Sequence, residues 1–261
     1  MKIFLSSLEN GCQCKRKGQD GKCLPLADFF TYNGVEFNWN LMSFFYVKNN
    51  MKVCESIRNH SKEILIDSGA HSFQKGKKVD WVEYTKQYAE FIKIFDRPNV
   101  IGYFEMDVDN IIGYDKVLEL RKILESVTDK IIPVWHKNRG VEEYKNMCKQ
   151  YAGKIIAITG FKNEDIKDEQ YLMFLKYAKK YNCKVHCLGM TRKKVLDKVP
   201  FDYVDSSSWK QSALFGRIDN QGKVSKEFSK QNREVVCLES YKEAMKMQEY
   251  YYKKWKSVCK D

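Results

Sequence analysis

The chain has 261 residues, with 46 lysines and arginines against 34 aspartates and glutamates, a net charge of +12 and a pI near 9.1. The length suits one large core; no run approaches the roughly 20 apolar residues of a membrane span, and nine cysteines in so long a chain exclude a small disulfide scaffold. Excess positive charge favours an anionic partner, nucleic acid ahead of a membrane surface, with a lysine-rich composition bias as the bland alternative. "MKIFLSSLENGC" carries too short an apolar run for a secretory leader, so an odd number of cysteines points to reduced thiols and a cytoplasmic protein.

In chain order, the elements alternate. Short apolar strands are predicted from Lys2 (KIFLSS), Glu63 (EILIDSG), Asn99 (NVIGYFEMD), Asp129 (DKIIPVWH), Lys154 (KIIAITGF), Cys183 (CKVHCLGM) and Phe201 (FDYVDS). Amphipathic helices lie between them. In DWVEYTKQYAEFIKIF, residues Trp81, Tyr84, Tyr88, Phe91 and Phe95 fall on one stripe, and YDKVLELRKIL and DEQYLMFLKYAKKY behave alike. Strand–helix alternation implies right-handed βαβ units and a parallel sheet. Seven strands, with an eighth expected in REVVCLE from Arg233, favour an α/β fold of the (β/α)8 TIM-barrel type over an open sheet, and no glycine-rich phosphate fingerprint follows the first strand. Residues 1–261 read as a single barrel domain. An insertion over residues 10–50 follows the first strand, and a terminal helix over 240–261 carries Tyr241, Ala244, Met245, Gln248, Tyr252, Trp255 and Cys259 on one stripe. A basic loop, KQSALFGRIDNQGKVSKEFSKQNR, supplies Lys210, Arg217 and Lys223 as candidate phosphate contacts.

Barrel enzymes place their chemistry at the C-terminal ends of the strands. The second predicted strand ends in Asp67, Ser68 and Gly69, the third in Asp107 and Asp109, and the fourth in Trp135 and His136. The fifth ends in Thr159 and Gly160, the sixth brings His186 and then Gly189, and the seventh Asp205 and Ser206. A lone strand-end aspartate usually caps the next helix, and a lone histidine is usually a satisfied polar residue. Convergence of so many on one rim points to a site. Two carboxylates can flank a glycosidic bond as nucleophile and acid/base, and the same histidines and aspartates could hold a hydrolytic zinc; the residue types alone do not separate the two.

DSGAHSF (Asp67–Phe73) resembles the Asp-Ser-Gly-Gly-Phe segment of the tRNA-guanine transglycosylases. EMDVD (Glu105–Asp109) is similar to their base-recognising strand, and IPVWH (Ile132–His136) stands where they carry Pro-Val-Gln-Gly. AITGF, HCLGM and VDSSSW resemble, in order, their glycine-bearing base pocket, their His-x-x-Gly strand and the nucleophile strand of the archaeal branch. The six segments keep the family's order over roughly residues 64–217, and the shorter chain and the VDSSSW form look more like the phage and bacterial relatives that modify DNA.

The resemblance implies exchange of a guanine in a polynucleotide for a 7-deazaguanine base, such as the cyano form. Asp205 would be the nucleophile on the anomeric carbon, Asp67 would handle protons, and Asp107 would read the guanine-like edge. Ser68, Gly69, His136, Gly160, His186 and Gly189 would complete the pocket. Asp202 competes with Asp205, because bacterial members carry Phe-Asp there; Asp205 is preferred because it sits at the strand's exit, ahead of the archaeal-like Ser-Ser-Ser-Trp. The family's zinc motif is missing: only Cys237 and Cys259 follow the nucleophile strand, and no histidine follows His186. Cys12, Cys14 and Cys23, joined by Cys54, cluster at the other end with irregular spacing, so no cofactor is firmly implied and zinc stays open. Losing that module tilts the expected substrate from tRNA towards DNA. A homodimer and helper proteins that open the duplex stay open as partners, no membrane partner is expected, and the compartment would be a host cytoplasm if the chain is phage-encoded. A same-chemistry enzyme on tRNA, a non-catalytic nucleic-acid-binding subunit and a metal-dependent hydrolase built on His136, His186 and Asp205 are the alternatives.

Overall fold

The computed structural model describes residues 1–9, 13–17, 23–48, 50–73, 79–159, 166–218 and 222–259. The strands of its main sheet are β1 (Lys2–Ser6), β2 (Phe37–Ser43), β3 (Ser61–Asp67), β4 (Val100–Phe104), β5 (Ile131–Ile132 and Val134–Trp135), β6 (Ile155–Thr159), β7 (Lys184–Leu188) and β8 (Tyr203–Ser206). All pairings in this sheet are parallel. Its nine hydrogen-bonded segments begin and end with the two halves of β5, which are consecutive in the chain. Pro133 separates those halves because it has no N–H to donate, while its carbonyl still accepts from Ala157 N–H at 2.9 Å. The first half pairs with β4 and the second with β6. The two edges of the sheet thus meet, and the fold is a TIM-like (β/α)8 barrel.

Alternation along the strands separates two cores. Phe4, Leu41, Leu65, Phe104, Ile132, Val134, Ala157 and Tyr203 fill the barrel's interior. Ile3, Leu5, Ile64, Ile66, Tyr103, Ile156, Ile158, Val185 and Val204 belong to the larger core shared with the surrounding helices. The helix Trp81–Phe95 follows its predicted stripe, burying Tyr84, Tyr88, Phe91 and Phe95, and Asp80 caps it by accepting from Glu83 N–H.

One predicted strand is replaced. The segment from Arg233 opens the 23-residue helix Arg233–Trp255, which therefore begins before residue 240. The eighth strand is instead β2, within the excursion after β1. That excursion also holds an antiparallel hairpin (Gln13–Lys17 with Cys23–Pro25) and the helix Leu26–Tyr32. β1 and β2 are in register only at Leu5–Asn40 and Ser6–Leu41. Beside that short ladder Gln248 inserts from the long helix and donates to Ile3 O at 2.7 Å and Trp39 O at 2.9 Å, so one side-chain amide takes over ladder hydrogen bonds. No helix among the described residues is long and apolar enough to cross a membrane.

Candidate active site

The C-terminal ends of the strands surround a cavity of about 630 Å³, within the size range of small-molecule sites. Its base is apolar, formed by Leu41, Phe104, Val134 and Leu188, and its walls carry Glu9, Asp67, Asp107 and Asp205. The three aspartates, far apart in sequence, therefore share one hollow because β3, β4 and β8 end on the same rim.

Asp205 is fixed by two donors. His186 Nε2 lies 2.9 Å from Asp205 Oδ1, and Gly189 N–H donates to the same oxygen at 2.9 Å. Gly189 adopts a φ of 63°, which turns that N–H towards the carboxylate. Among the described residues Oδ2 accepts no hydrogen bond. His186 does not line the cavity: it is fully buried within the barrel, flanked by the rings of Phe4, Phe104 and Tyr203. It positions Asp205 from below rather than touching a ligand, a correction to its expected place in the pocket wall. Asp202 is elsewhere. Its Oδ2 accepts Val185 N–H at 2.8 Å, at the entry end of β7, and burial raises its pKa.

Asp107 and His136 form a unit, with His136 Nε2 2.6 Å from Asp107 Oδ1. Burial disfavours the imidazolium, but the hydrogen bond and charge of Asp107, helped by Asp109, outweigh it and raise the His136 pKa. Asp109 belongs to the structure behind the wall, where it accepts from Arg139 Nε at 3.0 Å and Asn138 Nδ2 at 3.2 Å. Asp107, Asp109 and His136 bring ligand-type atoms within 4.8 Å of one another. Because the Arg139 guanidinium already neutralises Asp109, these three are a poor cage for a second cation.

Asp67 Oδ2 accepts Gly69 N–H at 2.9 Å. Ser68 is fully buried, and its carbonyl accepts from Tyr84 OH at 2.8 Å, so neither Ser68 nor Gly69 lines the cavity, contrary to expectation. Gly69 earns its place through its backbone. It has a φ of 74°, and a Cβ there would collide with Phe45 Cβ and sit 2.7 Å from Phe45 N. Gly69→Ala is expected to lower the unfolding free energy in a urea titration by about 2–4 kcal/mol, from left-handed backbone strain and overpacking together.

Of the other expected residues, Gly160 and Cys12 lie outside the described residues, while Thr159, next to Gly160, lines the cavity. Cys14 and Cys23 stand on the two strands of the short hairpin. Cys54 is buried, its thiol donating to Asn50 O and Val47 O. Arg217 and Lys223 are exposed and face each other across a small antiparallel hairpin. Lys210 is only 6% exposed, because the helix Ser208–Leu214 turns Trp209, Lys210 and Ala213 inward. Its expected role as a surface contact is therefore withdrawn; its charge acts on Glu9 instead.

Sequence reasoning missed Glu9, Ser6, Ser43 and Tyr46. Glu9 follows the end of β1 by three residues, so the strand-end rule applied to the first strand as well would have found it. Sequence comparison with protein-family models and with characterised proteins returns no match.

Proposed function

We propose that the chain is a nucleic-acid guanine transglycosylase, exchanging guanine in DNA for a 7-deazaguanine such as the cyano form through a covalent aspartyl–sugar intermediate. The observation that carries this reading is the meeting of Asp67, Asp107 and Asp205 around one cavity. An acid-lined hollow repels phosphate but suits a guanine edge, whose N–H groups are donors that carboxylates accept. The target nucleotide must leave its stack to reach it, with the strand's phosphates held outside by positive charge. Asp205, tethered through Oδ1, offers Oδ2 to the anomeric carbon. The Asp107–His136 pair faces the base.

Incubation with duplex DNA or tRNA and labelled guanine tests the reading, and nucleoside mass spectrometry of both polymers from expressing cells identifies the inserted base. Label entering DNA is expected; label entering tRNA alone moves the substrate to tRNA. Salt-sensitive binding without exchange on either polymer leaves a binding subunit. A hydrolase whose metal is held by His136, His186 and Asp205 fits less well, because the two histidines are committed to different carboxylates; activity lost on chelation and regained with zinc would favour it. Arg217→Ala and Lys223→Ala are each expected to weaken DNA binding uniformly across sequences. Each should also reduce the slope of log K against log salt by about 1, read by fluorescence anisotropy at several salt concentrations.

A further inference from the structure

Resting on that reading, we propose that Glu9, rather than Asp67 as the resemblance implies, is the catalytic proton carrier of base exchange, with Asp67 as a second carboxylate in the same cavity wall. Glu9 lines the cavity together with Asp67 and Asp205. One carboxyl oxygen, Oε1, accepts Ser43 N–H at 3.0 Å; the other, Oε2, is buried with no hydrogen-bond partner among the described residues. A buried carboxylate oxygen left unpaired is costly, whereas a protonated one is a donor waiting for an acceptor. The hydroxyls of Ser6 and Ser43, also in the cavity wall, are likewise buried and have no partner among the described residues, so this side of the hollow is built for a polar ligand.

Among the described residues, the charged and titratable groups that act on Glu9 come from three elements. Asp67 at the end of β3 disfavours its ionisation, and Lys210 in the helix Ser208–Leu214 favours it. The Cys54 thiol, in the helix Met51–His60, is pushed up to about 12 by burial and by Glu9, and so stays neutral. Burial dominates, and the Glu9 carboxyl is raised to about 7. Two neighbouring carboxyls in different surroundings are the usual arrangement for dividing acid and base work.

The steps balance. Attack of Asp205 Oδ2 forms the C1′–O bond and breaks C1′–N9; the electron pair leaves with guanine, which takes the proton of Glu9. In the return step the incoming base gives its N9 proton to the Glu9 carboxylate, its nitrogen bonds to C1′, and Asp205 departs as a carboxylate. No other reactant is needed. Burial holds the proton on Glu9, and the charge of Asp67, itself tied to Gly69 N–H, adds to that effect.

The test is the pH profile of the first half-reaction, followed as covalent protein–DNA adduct formed by wild type, Glu9→Gln and Asp67→Asn. An acid with a midpoint near 7 gives a wild-type rate that falls as pH rises through about 7. In Glu9→Gln the rate is expected to drop about 10²–10³-fold and that limb to vanish, the scale of general acid catalysis. In Asp67→Asn the midpoint is expected to move down, because a raising charge is gone. Carboxyl ¹³C NMR of wild type provides a readout independent of turnover, with Glu9 expected to titrate near neutrality. A Glu9→Gln limb like that of wild type, or a Glu9 that titrates as an ordinary carboxylate, overturns this assignment while transglycosylation stands. A wild-type protein that exchanges no base in either polymer removes both.

Discussion

Asp205→Asn is expected to abolish labelled-guanine incorporation, lowering the rate by roughly 10⁴-fold or more, the scale seen when a group acting at the reacting atom is removed. The asparagine retains the size of the side chain, and its carbonyl oxygen can still accept from His186 Nε2 and Gly189 N–H. What it cannot do is form the ester-like bond to the sugar that the proposed mechanism requires to divide one hard displacement into two. Fold and chemistry are therefore separable here. Thermal unfolding should remain near that of wild type, and the protein–DNA adduct that survives denaturing electrophoresis should disappear. Asp205→Ala should be equally inactive but also leave His186 Nε2 without its acceptor in a fully buried position, at an added cost of about 1–3 kcal/mol. Exchange by Asp205→Asn at a tenth of the wild-type rate or more would take the nucleophile's role away from Asp205. Asp202 would not inherit it, because its carboxylate is spent on Val185 N–H.

The barrel is largely legible in the sequence because seven of its strands are short apolar runs ending in polar residues. β2 is harder to read. Phe37–Ser43 interleaves Asn38 and Asn40 with aromatic residues, which resembles a loop, yet Asn40 is fully buried and bonds Ser61 Oγ at 2.9 Å and Tyr241 OH at 2.7 Å. Its polarity is satisfied only by partners 21 and 201 residues away, which no local pattern can reveal. The opposite error arises at Arg233–Glu239, where Val235, Val236 and Cys237 look like a strand. There the helical spacing of Val236, Tyr241, Ala244, Gln248 and Tyr251, all buried, prevails over β-propensity. In the site, the three aspartates are legible because the strand-end rule is topological. The depth of His186, Ser68 and Lys210 is not, because facing the cavity or lying behind it depends on barrel packing rather than on position in the strand.

The largest stability effect is expected at Glu105, one residue past β4 and completely buried. Its Oε2 accepts from Arg121 Nε at 2.5 Å, and its Oε1 from Val134 N–H at 2.8 Å and Arg139 Nη1 at 3.2 Å. Burial alone would depress the Arg121 pKa, but the charge and hydrogen bond of Glu105 reverse that and raise it. Glu105→Ala leaves the buried Arg121 guanidinium without its carboxylate and Arg139 with Asp109 and the Val134 carbonyl, and is expected to cost about 3–5 kcal/mol in a urea titration. Glu105→Leu combined with Arg121→Met should recover part of this, because the penalty lies in the unpaired charge rather than in the missing bond. The cost reaches the site as well. Val134 N–H fixes the second half of β5, and His136 follows that strand directly, so a slack β5 loosens the His136–Asp107 pair. Among Glu105 variants still folded at low temperature, discrimination between guanine and other purines should fall more than adduct formation, since Asp205 hangs from β7 and β8 on the far side of the barrel. A loss below about 1 kcal/mol would mean that Arg121 and Arg139 find other acceptors, and the network would then have no claim on the geometry of the cavity.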